Sequence, residues 1–372
     1  MIKIFKYLGK KGWVLFIISV LFIIVEVYLQ LEIPTYMQNI TKLLQSERSS
    51  LSEIWENGWM MLGYAGLTFL AAVITTFFSS YVGSILSRNL RSKVFDSVQS
   101  FSMEEMNKFS TPSLITRTTN DVMQVQMFFG MGLNSLIKAP TMIILAYLKM
   151  RSKAWQFSVA TIVTLLFILI SIAIIFILVV PKFKLMQEKI DNINKYSREN
   201  LNGLKVVRAF NAEEFQTARF ENANKELTDI NLYTNRVMSF MNPAIQSAMN
   251  FLSIAIYIIG AWLIYNIGPG VDEAIMLQKG LVFSESVVFL NYSMQIIASI
   301  MMLVFVLIMF PRASVAANRI LEVANTKSSI FDGVGGLTET STGTISFKNV
   351  SFKYPDAEGK VLDNISFDVN PG

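Results

Sequence analysis

Cysteine and histidine are both absent from the 372 residues. Without cysteine there is no disulfide framework, no thiolate metal site and no thiol nucleophile, and without histidine the usual general base and the commonest metal ligand are missing as well. Charge is sparse, at 16% Asp, Glu, Lys and Arg with a formal net charge of +5. The basic residues cluster beside apolar runs instead of along a separate aromatic-laced face, so no nucleic-acid partner is expected. What the chain has in quantity is apolar residues, 52% of the total, with a mean hydropathy of +0.46. They are gathered in long runs, which is the composition of a membrane protein.

The chain opens MIKIFKYLGKKGW, in which Lys3, Lys6, Lys10 and Lys11 alternate with Ile4, Phe5 and Leu8. That spacing predicts a helix with one basic and one apolar face, lying on a membrane surface. The following run is too long for a signal peptide and lacks a small-residue cleavage site. Six runs are long enough to cross a bilayer: roughly 13–33, 59–85, 128–148, 155–180, 244–267 and 282–310. An even number of spans puts both termini on one side. The N-terminal lysines, Arg88 with Arg91 and Lys93, Lys182 with Lys184 and Lys189, and Arg312 with Arg319 all mark that side as cytoplasmic. Lys149, Arg151 and Lys153 disagree, because they fall in a short loop placed outside. Snorkelling to headgroups is the expected accommodation.

The cytoplasmic connections carry helical periodicity. Leu90, Val94, Val98 and Phe101 recur at helical spacing, as do Ile190, Ile193, Leu201, Leu204 and Val207 more loosely. An arm of about 25 helical residues reaches roughly 40 Å from the membrane. The spans therefore continue as stalks with a reversal at each far tip. The first tip is STPSLITRTTNDVMQVQ, 110–126, where Pro112 suits a first helical turn, Ser110 or Thr111 can cap it, and Thr119, Asn120 and Asp121 can cap the next helix. The second is VRAFNAEE, 207–214.

These segments carry a family resemblance. SLITRTTNDVMQVQ looks like the first intracellular loop of ATP-binding cassette (ABC) exporters, and NGLKVVRAFNAEEFQTARFENANKEL, 202–227, is similar to the second. ASVAANRILEV, 313–323, resembles the link from their sixth helix to the nucleotide-binding domain. The likeness covers the whole chain, with the motifs in the right order and the right number of spans between them. It implies a half-transporter of the bacterial multidrug type with the type IV transmembrane fold. The expected fold is an all-α membrane protein with six transmembrane helices, long cytoplasmic extensions and coupling helices, then the first β-strands of an incomplete α/β nucleotide-binding domain. The resemblance further implies that the coupling helices lie at about 111–118 and 209–214. Their docking residues would be Thr111, Pro112, Ser113 and Leu114, then Ala209, Phe210, Asn211, Ala212 and Glu213. The second loop would cross to the partner half, which is identical or different. Solvated helix turns with no docking role are the plain alternative.

After Val323 the composition changes. The division expected is a transmembrane domain over 1–323, a Thr, Ser and Gly-rich linker over 324–343 and the start of a nucleotide-binding domain over 344–372. TISFKNVSF, 344–352, and VLDNISFDV, 361–369, alternate with period two and predict strands. By resemblance Tyr354 stacks on the adenine of ATP, with Mg2+ as the accompanying metal; a tyrosine after a strand is otherwise core or rim. The phosphate loop GxxxxGK followed by Ser or Thr does not occur in the 372 residues. These residues alone are therefore not expected to hydrolyse ATP, and the natural chain is expected to continue by about 200 residues.

Within the spans, ionisable side chains are few. Glu26 lies in the first, Gln30 follows one helical turn on, and Glu32 precedes Pro34 near the end. A carboxylate in hydrocarbon faces a polar cavity or a partner. One reading has Glu26, Gln30 and Glu32 line a pathway that favours cationic amphipathic substrates; the other is a structural hydrogen bond to a neighbouring helix. Lys138 with Pro140, and Asn242 with Pro243, read as snorkels and kinks. Trp13, Trp59, Trp155 and Trp262 sit near span ends as an aromatic belt. The implied activity is ATP-driven export of hydrophobic or amphipathic compounds (drugs, lipids or peptides) from the cytoplasm or inner leaflet across a plasma membrane. The rival class is a channel or receptor whose stalks only signal.

Overall fold

The structure is a computed structural model, and it describes residues 1–45, 50–151, 153–270, 272–330, 343–354 and 357–371. A short 3₁₀ helix, Ile2–Leu8, is followed by α1 (Gly9–Gln45) and α2 (Leu51–Gln99). Then come α3 (Met103–Phe109), α4 (Thr111–Thr116), a π-helical turn (Arg117–Asp121), α5 (Val122–Met127), a second π-helical turn (Phe128–Gly132) and α6 (Leu133–Met150). The remainder is α7 (Trp155–Ala209), α8 (Glu213–Ser239), α9 (Met241–Asn266), α10 (Glu273–Asn325) and the strands β1 (Ile345–Phe352) and β2 (Leu362–Val369). Six helical runs are long and apolar enough to cross a membrane. The 55 residues of α7 extend about 80 Å, well beyond the ~30 Å of a hydrocarbon core. The six spans and their stalks therefore stand as expected, and the belt tryptophans Trp13, Trp59, Trp155 and Trp262 are all exposed.

The chain divides into two compact units: Met1–Phe22, Val73–Leu136 and Val304–Gly372 form the first, Ile23–Ala72 and Ile137–Leu303 the second. In the first, Leu86, Leu90 and Val94 of α2, Val122 and Val125 of α5, and Ala313, Ala317 and Ile320 of α10 are all buried. Leu90 and Val94 thus bury the face their spacing predicts. Gly83 lets α2 approach the backbone of the second π turn: a Cβ there would meet the Gln126 carbonyl oxygen at 3.0 Å and the Gly130 nitrogen at 3.3 Å. A serine pair joins two spans in this unit, with the Ser19 hydroxyl of α1 and the Ser79 hydroxyl of α2 bonded at 2.8 Å.

In the second unit Phe157 of α7 stacks obliquely against Phe289 of α10 at 5.2 Å. Beside it the Thr161 and Ser293 hydroxyls bond at 2.8 Å. Tyr292 donates to the Leu31 carbonyl at 3.1 Å and also meets Thr35, which fastens α10 to α1. The break between α8 and α9 falls at Phe240, and Pro243 sits in the first turn of α9, where its missing N–H costs nothing. α7 and α8 pair along the stalk through Lys189 with Glu226 at 2.6 Å and Arg219 with Glu199 at 3.3 Å. The looser apolar stripe of α7 behaves differently from that of α2, since Leu201 and Leu204 remain exposed.

β1 and β2 pair antiparallel, with Phe347 stacked on Phe367 across the ladder at 4.6 Å. Asn349 and Asn364 take positive φ at irregularities in the register. Both strands are exposed almost throughout, because two strands have no second layer to pack against. Most of the expected linker, 331–342, lies outside the described residues.

Candidate functional site

The first tip is built from a capped turn and an arginine. Ser102 and Glu105 form a reciprocal capping box that starts α3. Glu105 also accepts the Ser329 backbone N–H at 3.0 Å, tying α3 to the chain that leaves α10. Hydrogen bonds from the Ser102 hydroxyl first, and then from the Ser102 and Ser329 backbones, hold its carboxyl well below 4.5, at about 2. Ser110 follows at φ 57°, ψ 144°, an uncommon conformation for a residue with a Cβ. It precedes α4 without a side-chain cap, and Pro112 stands in the first turn as expected.

The expected break at Thr119, Asn120 and Asp121 does not occur. The Thr118 and Thr119 hydroxyls bond back to the carbonyls of Leu114 and Ile115, each at 2.8 Å. The chain then passes through the π turn into α5 without capping. α4, Thr111–Thr116, covers part of the short helix expected over 111–118, but it runs on through the π turn and does not end there. Side chains that offer caps also satisfy themselves inside a helix, and packing decides which. Here Arg117 and Asp121 decide it. Arg117 donates to the Arg319 carbonyl at 2.8 Å and to Glu322 at 2.7 Å, and its guanidinium lies over the Phe109 ring at 4.9 Å. Its Nε reaches the Ser113 hydroxyl at 3.2 Å. Asp121 lies 3.3 Å from Arg319 Nε, within ion-pair distance but off the hydrogen-bond line, so that oxygen accepts no hydrogen bond among the described residues. Burial raises the Asp121 carboxyl above its ordinary value, with Arg319 and Arg117 opposing.

Of the tip residues expected to face a partner, Thr111 and Pro112 are exposed and Ser113 is half-buried, but Leu114 is only 5% exposed and turns inward. Ile115, not among those expected, is the exposed apolar residue of α4.

The second tip is a turn, where a short helix over 209–214 is expected. α7 ends at Ala209 and α8 begins at Glu213. The Ala212 N–H reaches the Val207 carbonyl at 2.9 Å and the Asn211 N–H the Arg208 carbonyl at 3.3 Å, with Asn211 at φ 49°. This is a Schellman ending with asparagine in the left-handed position that glycine usually fills. The turn presents Phe210, 79% exposed, and Phe215 of α8, 66% exposed.

In the spans, Glu26 is 4% exposed, and Lys138 of α6 reaches its carboxylate at 2.5 Å. Lys138 is therefore a partner and not a snorkel. Lys149 pairs with Glu32 at 2.7 Å, and Lys153 lies 3.7 Å from Glu285 of α10 and 3.3 Å from the Gln38 amide oxygen. Two of the three cations that contradicted the charge rule are thus met by carboxylates. Gln30, one turn from Glu26, is half-buried and joins none of these contacts. Tyr354 follows β1 and is 56% exposed, its ring edge-on to Phe352 at 4.9 Å. Among the described residues no cluster of acidic groups is set to hold a metal.

Residues 16–284 match the ABC transporter transmembrane region. The chain belongs to that family. An uncharacterised ABC transporter ATP-binding protein of Mycobacterium tuberculosis is 32% identical over 323 residues, covering 85% of this chain and 52% of that protein. YfiB of Bacillus subtilis, named in the same way, is 30% identical over 332 residues, 87% of this chain and 54% of YfiB. YknU of the same organism is 26% identical over 319 residues, 84% and 52% respectively. This ABC transmembrane chain thus spans about half the length of its relatives. Arg117 and Ile115 were the residues sequence reasoning passed over, and Lys138 was the one it misassigned, as a snorkel. The one available signal was that Lys138 is the single charged residue of its span, 128–148, while the first span, 13–33, carries the carboxylates of Glu26 and Glu32.

Proposed function

We propose that the chain is the transmembrane half of an ATP-driven exporter that moves hydrophobic or amphipathic compounds outward by alternating access, in a bacterial plasma membrane with both termini cytoplasmic. The division into a transmembrane domain over 1–323, a linker over 324–343 and the start of a nucleotide-binding domain from 344 belongs to this reading. The observation that carries it is the α7–α8 tip: a rigid stalk ends in a Schellman turn that exposes Phe210 and Phe215 to solvent. Leu201 on the same stalk is also without cover and Leu204 is partly so, and exposed apolar surface of this kind fits a protein partner. A second half, identical or different, and a nucleotide-binding domain are the partners this surface suits. The first tip acts differently. Arg117 joins α4 to the backbone of α10, so a displacement of α4 is passed to α10 through a charge-assisted bond.

ATP supplies the work of the cycle, with Mg2+ beside it. Tyr354, exposed and held edge-on to Phe352, is the residue that would stack on an adenine. In the membrane, Glu26, Gln30 and Glu32 remain the pathway candidates. Glu26 is matched by Lys138 and Glu32 by Lys149, so a cationic substrate would have to displace a lysine to use either charge. Uncharged and zwitterionic amphiphiles meet no such competition.

The test is Phe210→Asp in the full-length protein with its partner half, reconstituted in vesicles. The exposed site costs no core packing, so assembly and ATP turnover persist while efflux of an amphipathic dye falls to background. Efflux at the unmodified rate would remove the docking assignment.

A further inference from the structure

We infer that the first unit carries a binding site for the phosphate of an anionic phospholipid, under the N-terminal 3₁₀ helix. An open cleft of about 840 Å³ lies between that helix, the end of α2 and the end of α10, with Lys6, Tyr7, Lys93, Asp96, Ser97 and Lys327 among its walls. The walls are fixed to one another. Asn89 donates to the Tyr7 carbonyl at 2.8 Å, Ser97 to the Ala324 carbonyl at 3.5 Å, and Ile4 and Leu8 anchor the helix by full burial.

Charge identifies the ligand. Three lysines line the cleft against the single carboxylate of Asp96. Among the described residues Lys6, Lys93 and Lys327 have no ion-pair or hydrogen-bond partner through their ammonium groups. Like charges around one concavity repel, and a compact anion with several acceptor oxygens relieves them; lysine meets phosphate in this way as a point charge. Tyr7 adds a hydroxyl donor on the same wall, while the Ser100 hydroxyl is spent on the Ser97 carbonyl at 2.7 Å.

Location identifies the source. The cleft adjoins the helix whose lysines and buried apolar residues mark it as lying along the bilayer surface, with Phe5 stacked on Trp13 at 5.6 Å. A basic pocket beside membrane helices on the cytoplasmic side is suited to an anionic headgroup. The inference rests on the proposed cytoplasmic placement of this helix and is independent of the coupling at Phe210.

The experiment is native mass spectrometry of the delipidated full-length protein titrated with phosphatidylglycerol, phosphatidylcholine or glycerol 3-phosphate. Phosphatidylglycerol should be retained at one tight site per chain, and the variant K93Q/K327Q should weaken retention by about tenfold or more. K10Q/K11Q, which removes the same charge from outside the cleft, should leave it unchanged. Equal loss in both variants, or equal retention of phosphatidylcholine, overturns the site. Competition by glycerol 3-phosphate at the lipid's own concentration overturns the lipid as its source. No result here depends on transport, so failure of this site and failure of the exporter reading are distinguishable.

Discussion

Glu26 of α1 and Lys138 of α6 are 112 residues apart in sequence, and their side chains meet at 2.5 Å between two membrane spans. An unpaired charge at such a site is far more costly than a paired one, because neither water nor a second dipole replaces the lost partner. Glu26→Gln alone, or Lys138→Met alone, should lower stability by roughly 3 kcal/mol or more. The double variant should recover most of the loss. Thermal unfolding of the detergent-solubilised protein measures all three, and additive losses would show that the two side chains do not act as a pair.

Two of the three side-chain hydrogen bonds of Arg117 differ in worth. Its contact with Glu322 is on the surface, since half of that side chain is exposed, whereas its bond to the Arg319 carbonyl holds the backbone of α10. Glu322→Gln should therefore cost at most about 1 kcal/mol, and Arg117→Ala about 1–3 kcal/mol, with Arg117→Lys failing to restore it. Hydrogen exchange at 317–323 reports the difference locally; equal protection in the two variants would place the clamp on Glu322.

Gly83 is chosen by contact and not by conformation. Gly83→Ala puts a methyl 3.0 Å from a backbone oxygen that cannot rotate away, so the helices must part, at a cost of about 1–3 kcal/mol. Gly63→Ala, where nothing lies within 4 Å of the added carbon, should be neutral or slightly stabilising by helix propensity. Circular dichroism melts of the two variants make the comparison.

Glu105 should make α3 acid-sensitive. Its carboxyl titrates at about 2 in the fold and near 4.5 when unfolded, so it is the unfolded form that takes up the proton first as pH falls. The stability it contributes is complete above 4.5 and is lost between 4.5 and about 2. Hydrogen exchange over 103–109 should rise across that window in the native protein and stay flat with Glu105→Gln. Asp121 runs the other way: burial raises its carboxyl, so its contribution weakens as pH rises through the folded value.

The reversal at Ser110 was legible because Ser, Thr and Pro cluster there. The absence of a break at Thr119 was not, because Thr118 and Thr119 carry the same signal whether they cap a new helix or bond back within the old one. At the other tip the pattern AFNAEE marked a reversal without its form, and Asn211 at φ 49° shows it to be a single left-handed residue.

What the sequence alone determined was everything set by periodicity and composition: six spans, two stalks, two tips and two strands, because hydropathy and spacing act within one element at a time. What only the tertiary structure decided was which charges meet. Lys138 looked like a snorkel and Leu114 like a docking residue until neighbours from other helices were in place, since a side chain's partner depends on contacts between segments distant in sequence and not on the pattern around it.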